Sequence, residues 1–179
     1  TELIVTVDNG IASAEEISYA ETLGIGVVVT DHHLPQGDLP SALAVVDPHR
    51  EDCPSLFKEI CGAQVAFKLM CVMENKQQEE LLPYYADILS VAVTADVMPL
   101  VYENRSVVKC GIEKLKKSPS VGLSAIMNVA AIKAGSINSG RIAFGIAPRI
   151  NAAGRMGDAI RAVELLGSDD MLAALETAG

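Results

Sequence analysis

No stretch of this chain approaches the roughly 18 consecutive apolar residues that a membrane helix needs, and its first residues lack the basic-then-apolar layout of a signal peptide. The expectation is a cytoplasmic protein with no membrane role. Cys53, Cys61, Cys71 and Cys110 contain no C-x-x-C pair, which argues against a zinc site or a disulfide framework and for reduced thiols in apolar helical surroundings. Bases are scarce as well. Lys and Arg number 14 against 23 acids, a net charge of −9, which at first excludes a polyanionic partner.

What is present is core-forming material. With 179 residues, half of them hydrophobic, and a mean hydropathy of +0.30, the chain can fill one good core or two small ones. The deficit of bases is also uneven. Residues 1–99 hold 16 acids and 4 bases, net −12, whereas residues 100–165 hold 10 bases and 4 acids, net +6. Such asymmetry points to an anionic partner for the basic part and cations for the acidic part, although the same charges also suit an ordinary solvated face.

The most informative stretch is Val27 to His33, VVVTDHH. A β-branched run of this kind suits a strand buried on both faces, the habit of parallel sheets covered by helices, so the polar triplet falls at the strand's carboxyl end. Open α/β sheets place their sites there. A carboxylate and two imidazoles suit Mn²⁺, Zn²⁺, Fe²⁺ or Mg²⁺; the triplet alone equally suits a turn in which Asp31 caps the next segment and the histidines bond locally.

Ahead of it, Thr1 to Val7 reads as another buried strand, with no lead-in, and ends at Asp8-Asn9-Gly10. The chain therefore reads as the core of a longer protein. Ser13-Ala14-Glu15-Glu16 has the capping-box pattern that opens a helix to about Leu23, where Gly24 stops it. Strand, helix and strand then bring Asp8 and Asp31 side by side on one sheet edge. A third short strand, Leu43 to Val46, closes on Asp47-Pro48-His49; a histidine after Asp-Pro in a turn is more often a surface group, and His49 is left out of the ligand set.

Helical patterns follow over Gly62 to Glu74 and Glu79 to Ala95, the second apolar enough all round to cross a core. It closes on Asp96, a lone carboxylate at the end where the helix dipole disfavours negative charge, so a bound cation or an arginine should meet it. Glu103 to Lys117 is a basic amphipathic helix, Leu123 to Ala134 another helix, and Ser118-Pro119-Ser120 a linker between them. Ser139 to Met156 alternates three arginines with glycines, a proline and an asparagine. As a glycine-containing loop it would let amides approach a phosphate that guanidinium forks grip, though such arginines also pair with nearby acids. Two short helices, Gly157 to Leu166 and Asp169 to Ala178, end the chain. The fold class is thus α/β, a parallel sheet with flanking helices over 1–117 followed by a helical region over 118–179.

TVDNG around Asp8, TDHH at Thr30 to His33, TADVMPL around Asp96 and APRINAAGRM from Ala147 to Met156 together resemble, in this order and spacing, the DHH phosphoesterase superfamily. The last motif is similar to that of its single-stranded-DNA exonuclease branch. The resemblance implies a two-metal phosphodiesterase, using Mn²⁺ or Mg²⁺, that removes nucleotides from the 5′ end of single-stranded DNA in repair and recombination, with a helicase or single-strand-binding protein as possible partners. Residue by residue it implies that Asp8 bridges the metals, that His32 and Asp96 are direct ligands, that His33 contacts the scissile phosphate and that Asp31 orients the imidazoles, His33 and Asp31 forming the catalytic pair. Arg149, Asn151 and Arg155 would hold the DNA backbone. With three Phe and four Tyr, stacking would contribute less than phosphate contact, so binding should weaken as salt rises.

The family's first motif, an acidic D-x-D segment, is absent ahead of Asp8, and so is the family's C-terminal nucleic-acid-binding domain. With three strong ligands the chain is expected to hold one ion well at most, and to show little nuclease activity by itself. Two other readings stay open: a DHH phosphoesterase of oligonucleotides or cyclic dinucleotides, which the arginine segment argues against, and a non-catalytic single-strand-binding relative, which intact acids and histidines argue against.

Overall fold

In the computed structural model, which describes residues 1–155 and 159–179, the β-branched run ahead of Asp31 is the middle strand of a three-stranded parallel sheet. Its order is β1 (Leu3–Val7), β2 (Gly26–Thr30) and β3 (Ala44–Val46). Val7 lies opposite Thr30, and Thr30 opposite Val46, so the residues after each strand, Asp8, Asp31 and Asp47, share one rim. Helix α1 (Ala14–Thr22) lays Ile17 against Val27 and Val29. Helix α2 (Gly62–Met73) packs against β1 and β2, and Val65, Phe67 and Cys71 are buried along it.

Two expectations for this region are corrected. β1 is not buried: Leu3, Val5 and Val7 are each about half exposed, at 51%, 47% and 48%, because the strand lies at the sheet edge and is paired, among the described residues, with β2 alone. The capping box at Ser13 does not form either. Ser13 precedes α1 but makes no side-chain cap bond, and its ψ of 43° departs from the extended conformation that aims a capping hydroxyl at the first turn.

The chain divides into two compact units, Thr1–Gln78 and Glu79–Gly179. The second is helical: α3 (Gln78–Ala95), α4 (Tyr102–Lys117), α5 (Val121–Val129), a 3₁₀ turn (Ala134–Ser136), α6 (Ser139–Arg141), a π-helical turn (Ile142–Ile146), α7 (Ala147–Arg155), α8 (Ala159–Leu166) and α9 (Met171–Ala178). Its core gathers Leu115, Leu123, Ile126, Ile142, Ile146 and Leu165. Helices α3 and α4 approach closely where Gly111 faces Ala86 and Ser90; a Cβ there would overlap both. Ser118-Pro119-Ser120 lies inside this unit, tied to α3 by a 2.7 Å bond from the Ser120 N–H to Asp87 Oδ2.

Ser139 to Arg155 is not a loop. It is helical through Arg155, because Ile142, Ile146 and Ile150 recur every four residues on the side facing the core. Pro148 brings no N–H and would crowd the carbonyl four residues back, and the π turn just before it widens the helix there. The helix expected over 123–134 ends at Val129, where Ala130 caps it and Ala131 takes a left-handed φ of 53°. Among the cysteines, Cys61 and Cys71 are buried as expected, whereas Cys53 is half-buried in a loop and Cys110 is exposed on α4.

Candidate metal centre

The turn after β1 is shaped before any ligand is considered. Asp8 takes a φ of 63°, a left-handed conformation that Asp tolerates better than most residues. Its N–H donates to the Thr30 carbonyl at 3.0 Å. Gly10 follows with a φ of 108°, and a Cβ on it would lie 2.7 Å from Thr6 Oγ1. Thr6 in turn donates to the Asn9 carbonyl at 2.8 Å. This turn is thereby clamped to the end of β2.

Asp31 organises the other half of the rim. It is buried, and its Oδ2 accepts the Ile11 N–H at 3.0 Å, while Oδ1 accepts the His32 N–H at 2.8 Å, the His33 N–H at 3.3 Å and the His33 ring at 2.7 Å. Burial pushes the Asp31 carboxyl up, but the bonds from Ile11, the His33 ring and the two histidine amides outweigh it and hold the group below its ordinary value. It therefore stays ionised. An ionised carboxylate only accepts, so Nδ1 of His33 carries a proton, and in the neutral ring Nε2 is the nitrogen with the lone pair. A histidine oriented by a carboxylate in this way is the usual arrangement of a metal-binding imidazole.

The donors converge. His32 Nε2 lies 3.0 Å from Asp8 Oδ1, and the rings of His32 and His33 are 4.5 Å apart. One donor atom each from Asp8, His32 and His33 all lie within 4.8 Å of one another. Two ligands about 2.1 Å from an octahedral ion and at right angles to each other are about 3.0 Å apart, the spacing seen between His32 and Asp8. The set of one carboxylate and two imidazoles suits Mn²⁺ and tolerates Mg²⁺, so the residues present fit a divalent ion.

Of the expected site residues, Asp8, His32 and His33 are brought together, with Asp31 behind them. His33, expected at the phosphate, stands among the donors themselves. Asp96 follows the last residue of α3, in the second unit. It is exposed rather than buried, because the helix stops at Ala95 and Asp96 lies in the turn that continues through Val97, whose φ is 56°. Arg149 and Asn151 are exposed on α7; the side chain of Arg155 lies outside the described residues, as do Met156, Gly157 and Asp158.

Two residues of this rim were not singled out from sequence. Asp47 is buried after β3; its Oδ1 accepts the His49 N–H at 2.7 Å, and its Oδ2 has no hydrogen-bond partner among the described residues. Burial, opposed by the His49 amide and reinforced by the charge of Asp31, holds its carboxyl above the ordinary value. An acid closing a third parallel strand was the signal available. Gly62, the first residue of α2, lies against the Asp8 side chain; nothing local in sequence marks it. His49 sits 3.8 Å from Asp47 and 3.6 Å from Glu59.

A parallel sheet whose carboxyl rim gathers acids and imidazoles is that of a metal-binding α/β domain, and comparison with known proteins names the family. The model of the DHH family, N-terminal domain, matches residues 1–93; the chain belongs to that family. It is 39% identical over 176 residues to the single-stranded-DNA-specific exonuclease RecJ of Bacillus subtilis, covering 98% of this chain and 22% of that protein. It is 36% identical over 182 residues to RecJ of Escherichia coli, covering 95% and 32%. Among solved structures, RecJ of Thermus thermophilus in complex with Mn²⁺ superposes with a TM-score of 0.84 at 37% identity, covering all of this chain and 27% of that one. The Mg²⁺ complex from the same organism gives 0.72 at 34% identity, covering 99% and 24%. The chain thus spans 22% to 32% of the length of these two RecJ relatives. No helix among the described residues is long and apolar enough to cross a membrane.

Proposed function

We propose that this chain is the metal-binding core of a nuclease that degrades single-stranded DNA from its 5′ end. The observation that carries the reading is the convergence of Asp8, His32 and His33 within 4.8 Å on the carboxyl rim of a parallel sheet, in a chain 34% to 39% identical to RecJ exonucleases. Asp8, His32 and His33 would hold Mn²⁺ or Mg²⁺ at this rim, and Asp96 is proposed as a further ligand from its motif. Such ions, when bound, supply positive charge to the phosphoryl oxygens and acidify the attacking water.

The chain's own residues then do three things. Asp31 fixes the tautomer of His33, so that its Nε2 can accept a proton or face the scissile phosphate. Asp8 and His32 set the position of the cation relative to the sheet edge. Arg149, Asn151 and Arg155 hold the phosphodiester backbone through charge-assisted bonds. With three strong ligands the isolated chain holds one ion well at most and turns over little DNA, so the reading places its activity in the longer protein, as a cytoplasmic hydrolase of DNA repair and recombination working beside a helicase or single-strand-binding protein.

Mn²⁺ titration followed by calorimetry tests the core of this reading. One tight site is expected, lost in Asp8→Ala and in His32→Ala; no binding at millimolar Mn²⁺ would remove the metal-dependent reading. In the longer protein, Asp96→Ala is expected to abolish release of nucleotides from 5′-labelled single strands, and full activity in that variant would remove Asp96 from the ligand set.

A further inference from the structure

In a chain of net charge −9, the 44 residues from Lys114 to Gly157 contain no Asp or Glu and seven Lys or Arg. Near the end of that stretch the helix running from Ser139 presents Phe144, which is 86% exposed. Its position is dictated from below. Ile142 and Ile146 on either side are fully buried, at 0% each. Gly145 packs so closely that a Cβ there would lie 2.7 Å from Ile132 Cδ1. The π turn cannot rotate by one residue without driving a side chain into Ile132, so the ring stays outside.

Along this segment the charge is of one sign. Exposed Arg141 precedes Phe144 by three residues and exposed Arg149 follows it by five, with Pro148 exposed between. At 1.5 Å of rise per residue these spacings put the two guanidinium-bearing residues about 4.5 Å and 7.5 Å along the axis on either side of the ring. Arg149 also folds back, donating from Nη1 to the Gly145 carbonyl at 2.7 Å, which ties its side chain to the turn that carries Phe144. An exposed aromatic ring with an exposed arginine three residues before it and another five after it, in a segment without acids, has the composition of a single-strand platform. Bases stack on the ring irrespective of sequence, and phosphates meet the flanking charges.

We propose that Phe144 is a base-stacking platform for single-stranded nucleic acid, with Arg141 and Arg149 gripping the phosphates on either side of the stacked nucleotide. The inference rests on the nucleic-acid reading above and adds to it a ring and a cation, Phe144 and Arg141.

The test uses the 179-residue chain without divalent ions, titrated into fluorescently labelled dT12 and into an abasic strand of equal length and charge. Phe144→Ala is expected to weaken dT12 binding about 5- to 100-fold, to leave the abasic strand within about twofold, and to keep the slope of affinity against salt. Arg141→Ala is expected to weaken both strands alike and to lower that slope by about one. The chain has no tryptophan, so Phe144→Trp retains the platform and adds a single reporter, whose fluorescence should be quenched by dT12 and not by the abasic strand. Equal losses on both strands in Phe144→Ala, or no loss on either, overturn the proposal. So does a variant that dissociates a self-associated chain in sedimentation while DNA binding is untouched, since the ring is then a protein contact. If the unmodified chain binds neither strand, the nucleic-acid reading falls and the platform with it, whereas retained binding with an unaltered Phe144→Ala removes the platform alone.

Discussion

Gly62 and Asp8 are packed so tightly that a Cβ on Gly62 would lie 2.5 Å from Asp8 Cβ and 2.6 Å from Asp8 Cγ. The first residue of α2 is thus the wall against which the carboxylate of the donor cluster rests. Without a side chain there, Asp8 holds its left-handed turn and reaches 3.0 Å from His32 Nε2.

Gly62→Ala should therefore disturb the site rather than the helix. Alanine is the better helix former by about 1 kcal/mol, so a steric effect must overcome a local gain. Mn²⁺ affinity is expected to fall about 10- to 100-fold, the range seen when groups supporting metal ligands are altered. Calorimetric titration measures it, and unchanged affinity would show that α2 shifts without moving Asp8.

Asp31→Asn replaces an acceptor of four bonds with a group that must turn an NH₂ toward a donor. A loss of about 1–3 kcal/mol at neutral pH is expected from leaving a buried donor unmatched. Because the folded Asp31 carboxyl titrates below the ordinary value of 3.8, its contribution is present above that value and is lost as pH falls through the depressed one. Urea unfolding of the two proteins should show a gap at pH 7 that narrows below about pH 3.8. A gap independent of pH would mean the charge of Asp31 is not what the amides recognise.

Asp47 titrates in the opposite sense. Its folded value lies above the ordinary 3.8, so stability from this group is full below the ordinary value and is lost as pH rises through the raised one. Asp47→Asn keeps an oxygen for the His49 N–H and removes the charge. Relative to the unmodified protein the variant should gain stability as pH rises above the ordinary 3.8, measured by urea unfolding in chelator. A variant that loses ground as pH rises would show that an ionised Asp47 is stabilised in the fold.

Mn²⁺ should raise the melting temperature. A ligand at one hundred times its Kd adds about 2.7 kcal/mol, which for a chain of this size corresponds to about 5–10 °C. Calorimetric scans with and without Mn²⁺ measure the shift, which Asp8→Ala should abolish. A shift that survives Asp8→Ala would place the ion elsewhere.

Much of this architecture follows from local pattern. Val27 to Thr30 are β-branched and stop at Asp31, and a strand of that composition must end where its polar residues begin. The parallel connection through α1 then brings Asp8 beside Asp31 by topology alone, as the register of Val7 with Thr30 bears out. The helices α2, α3 and α4 begin and end within two residues of where their apolar periodicity starts and stops.

What the sequence could not decide are relations between distant segments. LIVTV reads the same whether both its edges are covered or one, so the exposure of β1 belongs to the sheet order and not to the strand. Glycines and Pro148 in Ser139 to Arg155 imitate a loop, and only the burial of Ile142 and Ile146 against the helical core makes the segment a helix and leaves Phe144 outside. Asp96 read as a buried charge because α3 is apolar, yet the turn at Val97 leaves it exposed. Gly62 is 54 positions from Asp8 and carries no mark of that contact. Backbone propensity and side-chain periodicity are local and are written in the chain; which side chains come within bonding distance depends on how elements pack, and only the tertiary structure determines that.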